Sequence, residues 1–397
     1  MKKLIASLTF LCLLCGICLA GGAGAQPADT EPNAGFADSV VTIGAIDGMN
    51  AESAILIDLD SGKVLYELNA DKVLPPASIT KIMTLLLVVE AAERGELQYT
   101  DTVTASEHAC SMGGAQIYLK VGEQMTVEEL FKAVSIASAN DAAVALAEHV
   151  AGSESLFVAR MNERAAQLGM TNTVFQNACG LDADGHVTTA RDIARMSAEL
   201  CKHEKAFAYS TTWMDSVRNG EFELVNTNKL VRSYNGITGL KTGSTGKAKC
   251  CLSATAERNG VALCGVVMGC ETGAIRFESA AALLDYGFAT FERAELVADT
   301  ALPEIRIRYG ETESAVPIYA AQPSVLIERG KSASLERRIE IESEINAPVC
   351  AGDPVGALIV SCDGEEVGRV PIVIQADIPR LSFGKAFARL LSNFKLF

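Results

Sequence analysis

The chain has little that could hold a metal. Its four histidines, His108, His149, His186 and His203, form no His-Glu-x-x-His, so the common helical zinc-peptidase site is excluded. Twelve cysteines are present, three of them (Cys12, Cys15 and Cys18) inside an apolar N-terminal stretch. The other nine are Cys110, Cys179, Cys201, Cys250, Cys251, Cys264, Cys270, Cys350 and Cys362. An odd number at irregular spacing is no disulfide framework, and none of the nine forms a Cys-x-x-Cys pair. They read as small buried hydrophobes. Positive charge is also scarce. The chain carries 34 Lys and Arg against 49 Asp and Glu, a net charge of −15. That balance excludes nucleic acid as a partner and repels the body from anionic lipid unless something local holds it there.

Apolar runs of membrane-spanning length are absent, and the one nearest to that length opens the chain. Lys2 and Lys3 precede Leu4 to Ala20, which is short for a membrane span, and Ala23-Gly24-Ala25 is a small-x-small cleavage pattern. Residues 1–25 are therefore expected to be a secretory leader. Leu11, Leu14 and Ile17 precede the three leader cysteines, which sets aside a lipoprotein signal. Residues 26–47 are rich in Ala, Gly, Asp and Pro and read as a flexible lead-in.

What the 397 residues do have is a body with 49% hydrophobic and 21% charged residues, ample for a large core. It is organised around Pro75-Pro76-Ala77-Ser78-Ile79-Thr80-Lys81, followed by an apolar run from Ile82 to Val89 and stopped by Gly95. Proline leads into a helix but does not sit inside one. Ser78 is thus expected at or near a helix N-terminus, with Lys81 one turn on and on the same face. A serine hydroxyl needs a base, and a desolvated lysine is neutral enough to be one. Alone, Ser-x-x-Lys is equally a capping serine followed by a surface lysine.

Two further stretches decide between these. Ser138-Ala139-Asn140 and Lys241-Thr242-Gly243 follow in order, and with Ser78-Ile79-Thr80-Lys81 they match the Ser-x-x-Lys, Ser-Asp-Asn and Lys-Thr-Gly set of penicillin-interactive serine enzymes, the middle motif being a Ser-Ala-Asn variant. Around them the sequence predicts strands at Ser53–Asp58 and Val64–Glu67. A capping box at Thr126 opens a helix that breaks at Ser138, and further helices are expected at 142–150, 155–168 and 189–200. An Asn259-Gly260 hairpin should join strands 250–257 and 261–268, and a closing helix should run from Arg276 to Phe288, ended by Gly287. From residue 291 short strands separated by turns predict a small β-sandwich to residue 377. Residues 378–397 read as an amphipathic, purely basic helix suited to a membrane surface.

On these motifs the chain resembles the serine-type D-alanyl-D-alanine carboxypeptidases, low-molecular-mass penicillin-binding proteins. Gly180-Leu181, His186-Val187-Thr188-Thr189-Ala190-Arg191-Asp192 and Val267-Met268-Gly269 followed by Arg276 share in the likeness. The resemblance implies an α+β catalytic domain over 48–290, an antiparallel sheet flanked by helices. It implies Ser78 as acyl-ester nucleophile, Lys81 as its base and Ser138 as proton relay. Asn140, Lys241, Thr242, Gly243, Ser244 and Arg276 would bind substrate, with the N–H groups of Ser78 and Ser244 as oxyanion hole. No cofactor is implied. The partners implied are peptidoglycan stem peptides ending in D-Ala-D-Ala, β-lactams as covalent inhibitors, and the outer face of the cytoplasmic membrane. A class A β-lactamase shares the three motifs but needs a glutamate between the second and third. Here none occurs between Glu163 and Glu199. A non-catalytic penicillin sensor would lack Ser78, Lys81 or Lys241, and all are present.

Overall fold

The computed structural model describes residues 46–297, 301–321 and 323–393. The expected leader, most of the lead-in and the last four residues of the tail lie outside that range.

Strands β1 (Ser53–Asp58) and β2 (Val64–Leu68) form a hairpin. Far along the chain, β3 (Ile237–Thr245), β4 (Lys249–Arg258) and β5 (Val261–Cys270) form a meander. The two units join edge to edge in one antiparallel sheet ordered β2-β1-β5-β4-β3. Register runs from Ser53 opposite Met268 to Asp58 opposite Leu263. The β4–β5 turn is Asn259-Gly260, both at positive φ (51° and 74°), as the two-residue hairpin signal predicts.

Both faces of this sheet are covered, which is why its strands read as continuous apolar runs. Ala54 and Leu56 of β1 pack with Leu263, Val267, Leu283 and Leu284 on one side. Ile55 and Ile57 pack with Ile82, Leu86 and Ile193 on the other. The first side is closed by a helix spanning Gly273–Thr290, capped by the Thr272 side chain. This helix runs past Gly287, which the sequence reading takes as its end. Gly287 is there for closeness: a Cβ on it would lie 2.5 Å from Leu263 Cδ1 and 2.8 Å from Leu56 Cδ2.

The second side carries the helical part. Helix α1 (Lys81–Glu93) follows a tighter 3₁₀ turn, Ala77–Thr80, so Ser78 sits in that turn ahead of the α-helix. Helix α2 (Val127–Ala137) opens on the expected Thr126–Glu129 capping box. It stops at Ser138, whose φ of 62° is left-handed, and α3 (Asn140–Ala151) begins two residues later. Helices α4 (Glu154–Gln167) and α5 (Ala190–Leu200) complete the layer. Between α1 and α2 the chain forms a short strand pair, Thr102–Thr104 with Gln124–Thr126.

Beyond Thr290 the chain is built of short strands. Phe291–Glu295 pairs with Ser324–Glu328, and a four-stranded sheet carries Leu335–Ile341, Pro354–Cys362 and Glu365–Val373. Arg293 reaches back to the catalytic part, its guanidinium 2.8 Å from the fully buried Asp58 carboxylate. The last helix, Phe383–Asn393, turns Lys385 toward Glu311 (2.6 Å) and Arg389 toward Glu313 (3.1 Å), while Phe383, Phe387, Leu390 and Leu391 are exposed. Among the described residues no single helix is long and apolar enough to cross a membrane.

Candidate active site

The 3₁₀ turn 77–80, the α2–α3 break and strand β3 converge. Lys81, fully buried at the start of α1, meets three acceptors: Ser78 Oγ at 2.9 Å, Asn140 Oδ1 at 2.6 Å and the Cys179 carbonyl at 2.6 Å. Burial pushes its ammonium down from 10.5 to about 8, opposed by charge interactions with Cys179 and Asp141. About a tenth of the lysine is then neutral at pH 7.

Asn140 stands at the first turn of α3. Its Nδ2 donates to the Gly113 carbonyl at 2.6 Å, and its backbone N–H donates to Ala115 at 2.7 Å. The next residue, Asp141, is buried, and its carboxylate accepts from the N–H groups of Ile117 (3.1 Å) and Leu119 (3.0 Å). Together they fasten the loop at 113–119 beside the lysine. Ser138 is buried at the break, in the left-handed conformation that turns one helix into the next.

Strand β3 lies against the turn that carries Ser78. A Cβ on Gly243 would meet Pro76 O, Ala77 Cβ and Ile79 Cγ1, each at 3.1 Å, so glycine allows the close approach. Lys241 is buried, and its ammonium is pushed well down by burial and by the charges of Lys81 and Arg276. Thr242 donates its hydroxyl to Thr227 Oγ1 at 2.7 Å. Arg276 Nη1 donates to the Gly243 carbonyl at 3.1 Å, while its Nε is buried without a hydrogen-bond partner. Ser244 is exposed at the strand end, its Oγ 3.7 Å from Cys250 Sγ. Lys81, Lys241 and Arg276 thus lie close enough for their charges to repel, which a bound anion would relieve.

Contacts therefore join Ser78, Lys81 and Asn140 directly, and Gly243 and Arg276 to one another. Lys241 is coupled to Lys81 by charge. Sequence reasoning missed the Cys179 carbonyl, because a backbone acceptor carries no side-chain signal. It also missed Asp141, which adjoins the second motif.

Comparison with known proteins places the chain in a family. Residues 40–272 match the family model for D-alanyl-D-alanine carboxypeptidase, more than half of the chain. The chain belongs to the D-alanyl-D-alanine carboxypeptidases. Residues 291–380 of this carboxypeptidase match the C-terminal domain of penicillin-binding protein 5. It is 38% identical to the D-alanyl-D-alanine carboxypeptidase DacF of Bacillus subtilis, over 87% of this chain and 90% of that protein. It is 35% identical to DacC of Escherichia coli, over 89% of each chain. Among solved structures, penicillin-binding protein 5 from Haemophilus influenzae superposes with a TM-score of 0.71 at 31% identity, covering 86% of this chain and all (100%) of that one. Penicillin-binding protein D2 of Listeria monocytogenes, solved in an ampicillin-bound form, gives 0.56 at 34% identity over 60% of this chain and 98% of its own. The carboxypeptidase is a serine peptidase with an α+β catalytic domain, followed by strands and a final helix.

Proposed function

We propose that this carboxypeptidase removes the terminal D-alanine from peptidoglycan stem peptides through an ester on Ser78, and that β-lactams stop it at that ester. The observation that carries the roles is the 2.9 Å contact between Ser78 Oγ and a fully buried Lys81. Neutral Lys81 takes the hydroxyl proton as Ser78 Oγ attacks the carbonyl of the penultimate D-alanine. The N–H groups of Ser78 and Ser244 receive the oxyanion. Ser138 relays the proton to the leaving amine. The substrate's terminal carboxylate goes to the cationic end of the cleft, beside Lys241, Thr242, Gly243 and Arg276. Asn140 spends its oxygen on Lys81 and one N–H on Gly113, which leaves its second N–H for the substrate amide.

The β-lactamase reading needs a carboxylate that activates water against the ester. Asp192 caps with Thr189 through its backbone N–H (3.1 Å), and its carboxylate is held by Asn172 N–H (3.1 Å) and Thr173 Oγ1 (2.8 Å), which keeps it on that loop. Asp182 accepts from Thr245 Oγ1 at 2.7 Å, and Asp184 is fully exposed. These placements favour the carboxypeptidase. We also assign the enzyme to the outer face of the cytoplasmic membrane, exported by residues 1–25 and held by the exposed apolar residues of 383–391.

Mass spectrometry after labelled penicillin, beside a D-alanine release assay, tests the chemistry. One adduct on Ser78 that lasts minutes or longer, none on Ser78→Ala, and prompt D-alanine release are expected. Labelling that persists in Ser78→Ala, or rapid penicillin turnover without D-alanine release, overturns the reading.

A further inference from the structure

We infer that Asn177 is a positioning residue for Lys81, acting through the backbone carbonyl of Cys179. The inference rests on Lys81 being the base. Residues 176–181 belong to no helix or strand, so their backbone groups need other partners. The Asn177 side chain supplies them. Its Oδ1 accepts from three successive N–H groups, Cys179 at 3.3 Å, Gly180 at 2.6 Å and Leu181 at 3.2 Å. Its Nδ2 donates to the Leu181 carbonyl at 2.9 Å. One side chain thus stands in for a ladder, as asparagine does in turns.

The fold this imposes aims two successive carbonyls at α1. Ala178 O accepts from Thr84 Oγ1 at 2.6 Å and Cys179 O from Lys81 Nζ at 2.6 Å. Lys81 and Thr84, three apart, share a helix face. The strap is tied from outside as well. Ala178 N–H donates to Glu154 Oε1 at 2.9 Å, and Asn177 Nδ2 lies 3.3 Å from His186 Nδ1, whose Nε2 is 2.9 Å from Thr80 Oγ1.

The consequence is a matter of counting hydrogens. Charged Lys81 has three donors for its three partners. The neutral amine has two hydrogens and one lone pair. With the hydrogens on Asn140 Oδ1 and Cys179 O, both at 2.6 Å, the lone pair is left facing Ser78 Oγ. Asn140 alone cannot fix this, because one hydrogen bond leaves the amine free to turn about its terminal carbon. Asn177, by holding the Cys179 carbonyl, sets the direction of the base.

The test is the acylation rate constant and the non-covalent dissociation constant for a fluorescent penicillin, separated by stopped-flow saturation, with melting curves beside them. Asn177→Ala is expected to bind penicillin within about twofold of wild type and to acylate about 10–100-fold more slowly, the scale of a misplaced reacting group. Asn177→Asp, which keeps the acceptor for three N–H groups but loses the donor to Leu181 O, is expected to recover part of that loss. If the alanine variant does not fold, Asn177→Ser, whose short hydroxyl cannot serve all three, carries the same comparison. Wild-type acylation in Asn177→Ala, equal slowing of the alanine and aspartate variants, or loss of penicillin affinity in step with rate each overturns the inference. Lys81→Ala is the separate control: if it acylates at the wild-type rate, the base assignment fails whatever Asn177 does.

Discussion

His186 lies 3% exposed beneath the catalytic turn, with Nε2 at Thr80 Oγ1 and Nδ1 facing the Gln176 N–H and the Asn177 amide. Two donors against Nδ1 require that nitrogen to accept, so the ring is neutral and Nε2 donates to the threonine. Burial pushes its pKa from 6.5 down to about 4, and Asp182 opposes this weakly. In the unfolded chain the ring takes a proton as pH falls through 6.5, while the native ring stays neutral until about 4. Stability is therefore unaffected above pH 7 and declines through the interval between those values. The loss reaches about 2 kcal/mol at pH 5 and about 3 kcal/mol at pH 4. Against a total stability of about 5–15 kcal/mol, that is measurable. The assay is urea unfolding of wild type and His186→Gln at about pH 7 and about pH 5. Glutamine offers both an acceptor and a donor but does not titrate, so other acid effects cancel in the difference. Wild type should lose about 2 kcal/mol more than the variant over this range. Parallel losses, or a ring that protonates above about pH 6 by NMR, refute the argument.

Other outcomes follow from single contacts. Gly180→Ala puts a Cβ 1.9 Å from the Ala77 carbonyl at a φ of 86°, so penicillin acylation should fall by about 10² or more as the turn carrying Ser78 shifts. Arg293→Leu leaves the Asp58 carboxylate buried without its cation; urea unfolding should show a loss of about 3 kcal/mol or more, much of it regained in Asp58→Asn/Arg293→Leu. Deleting 379–397 should release an enzyme that still frees D-alanine from soluble peptides, and sedimentation with membranes after the deletion sinks the anchor assignment.

Local signals in the sequence map onto local structure. The Thr126–Glu129 capping box, the Asn259-Gly260 turn and the Ser138 break each depend on residues within a few positions of each other. Features decided by distant partners were not legible. Gly287 looks like a helix stop and is a contact point for Leu263. Asp192 is the capping partner of Thr189 through its backbone N–H (3.1 Å), but where its carboxylate goes, to Asn172 and Thr173, is set by distant chain. The motif residues of the site are readable because their chemistry is in the side chains. The Cys179 carbonyl is not, because every residue has one.

The sheet that joins β1 to β5 gives the enzyme a sequence of events as well as a shape. Ser78 and Lys81 leave the ribosome early, but β1 must wait for the strand that places Leu263 against Asp58, and the cleft must wait for Lys241 and Arg276. Pairing over so long a stretch of chain forms late. A growing chain therefore carries Ser78 and Lys81 before Ser244, Lys241 and Arg276 can be set beside them. On the proposed mechanism, reactivity then waits for the strands after residue 237 to join β1, while the part of the chain beyond Thr290 adds nothing to the sheet.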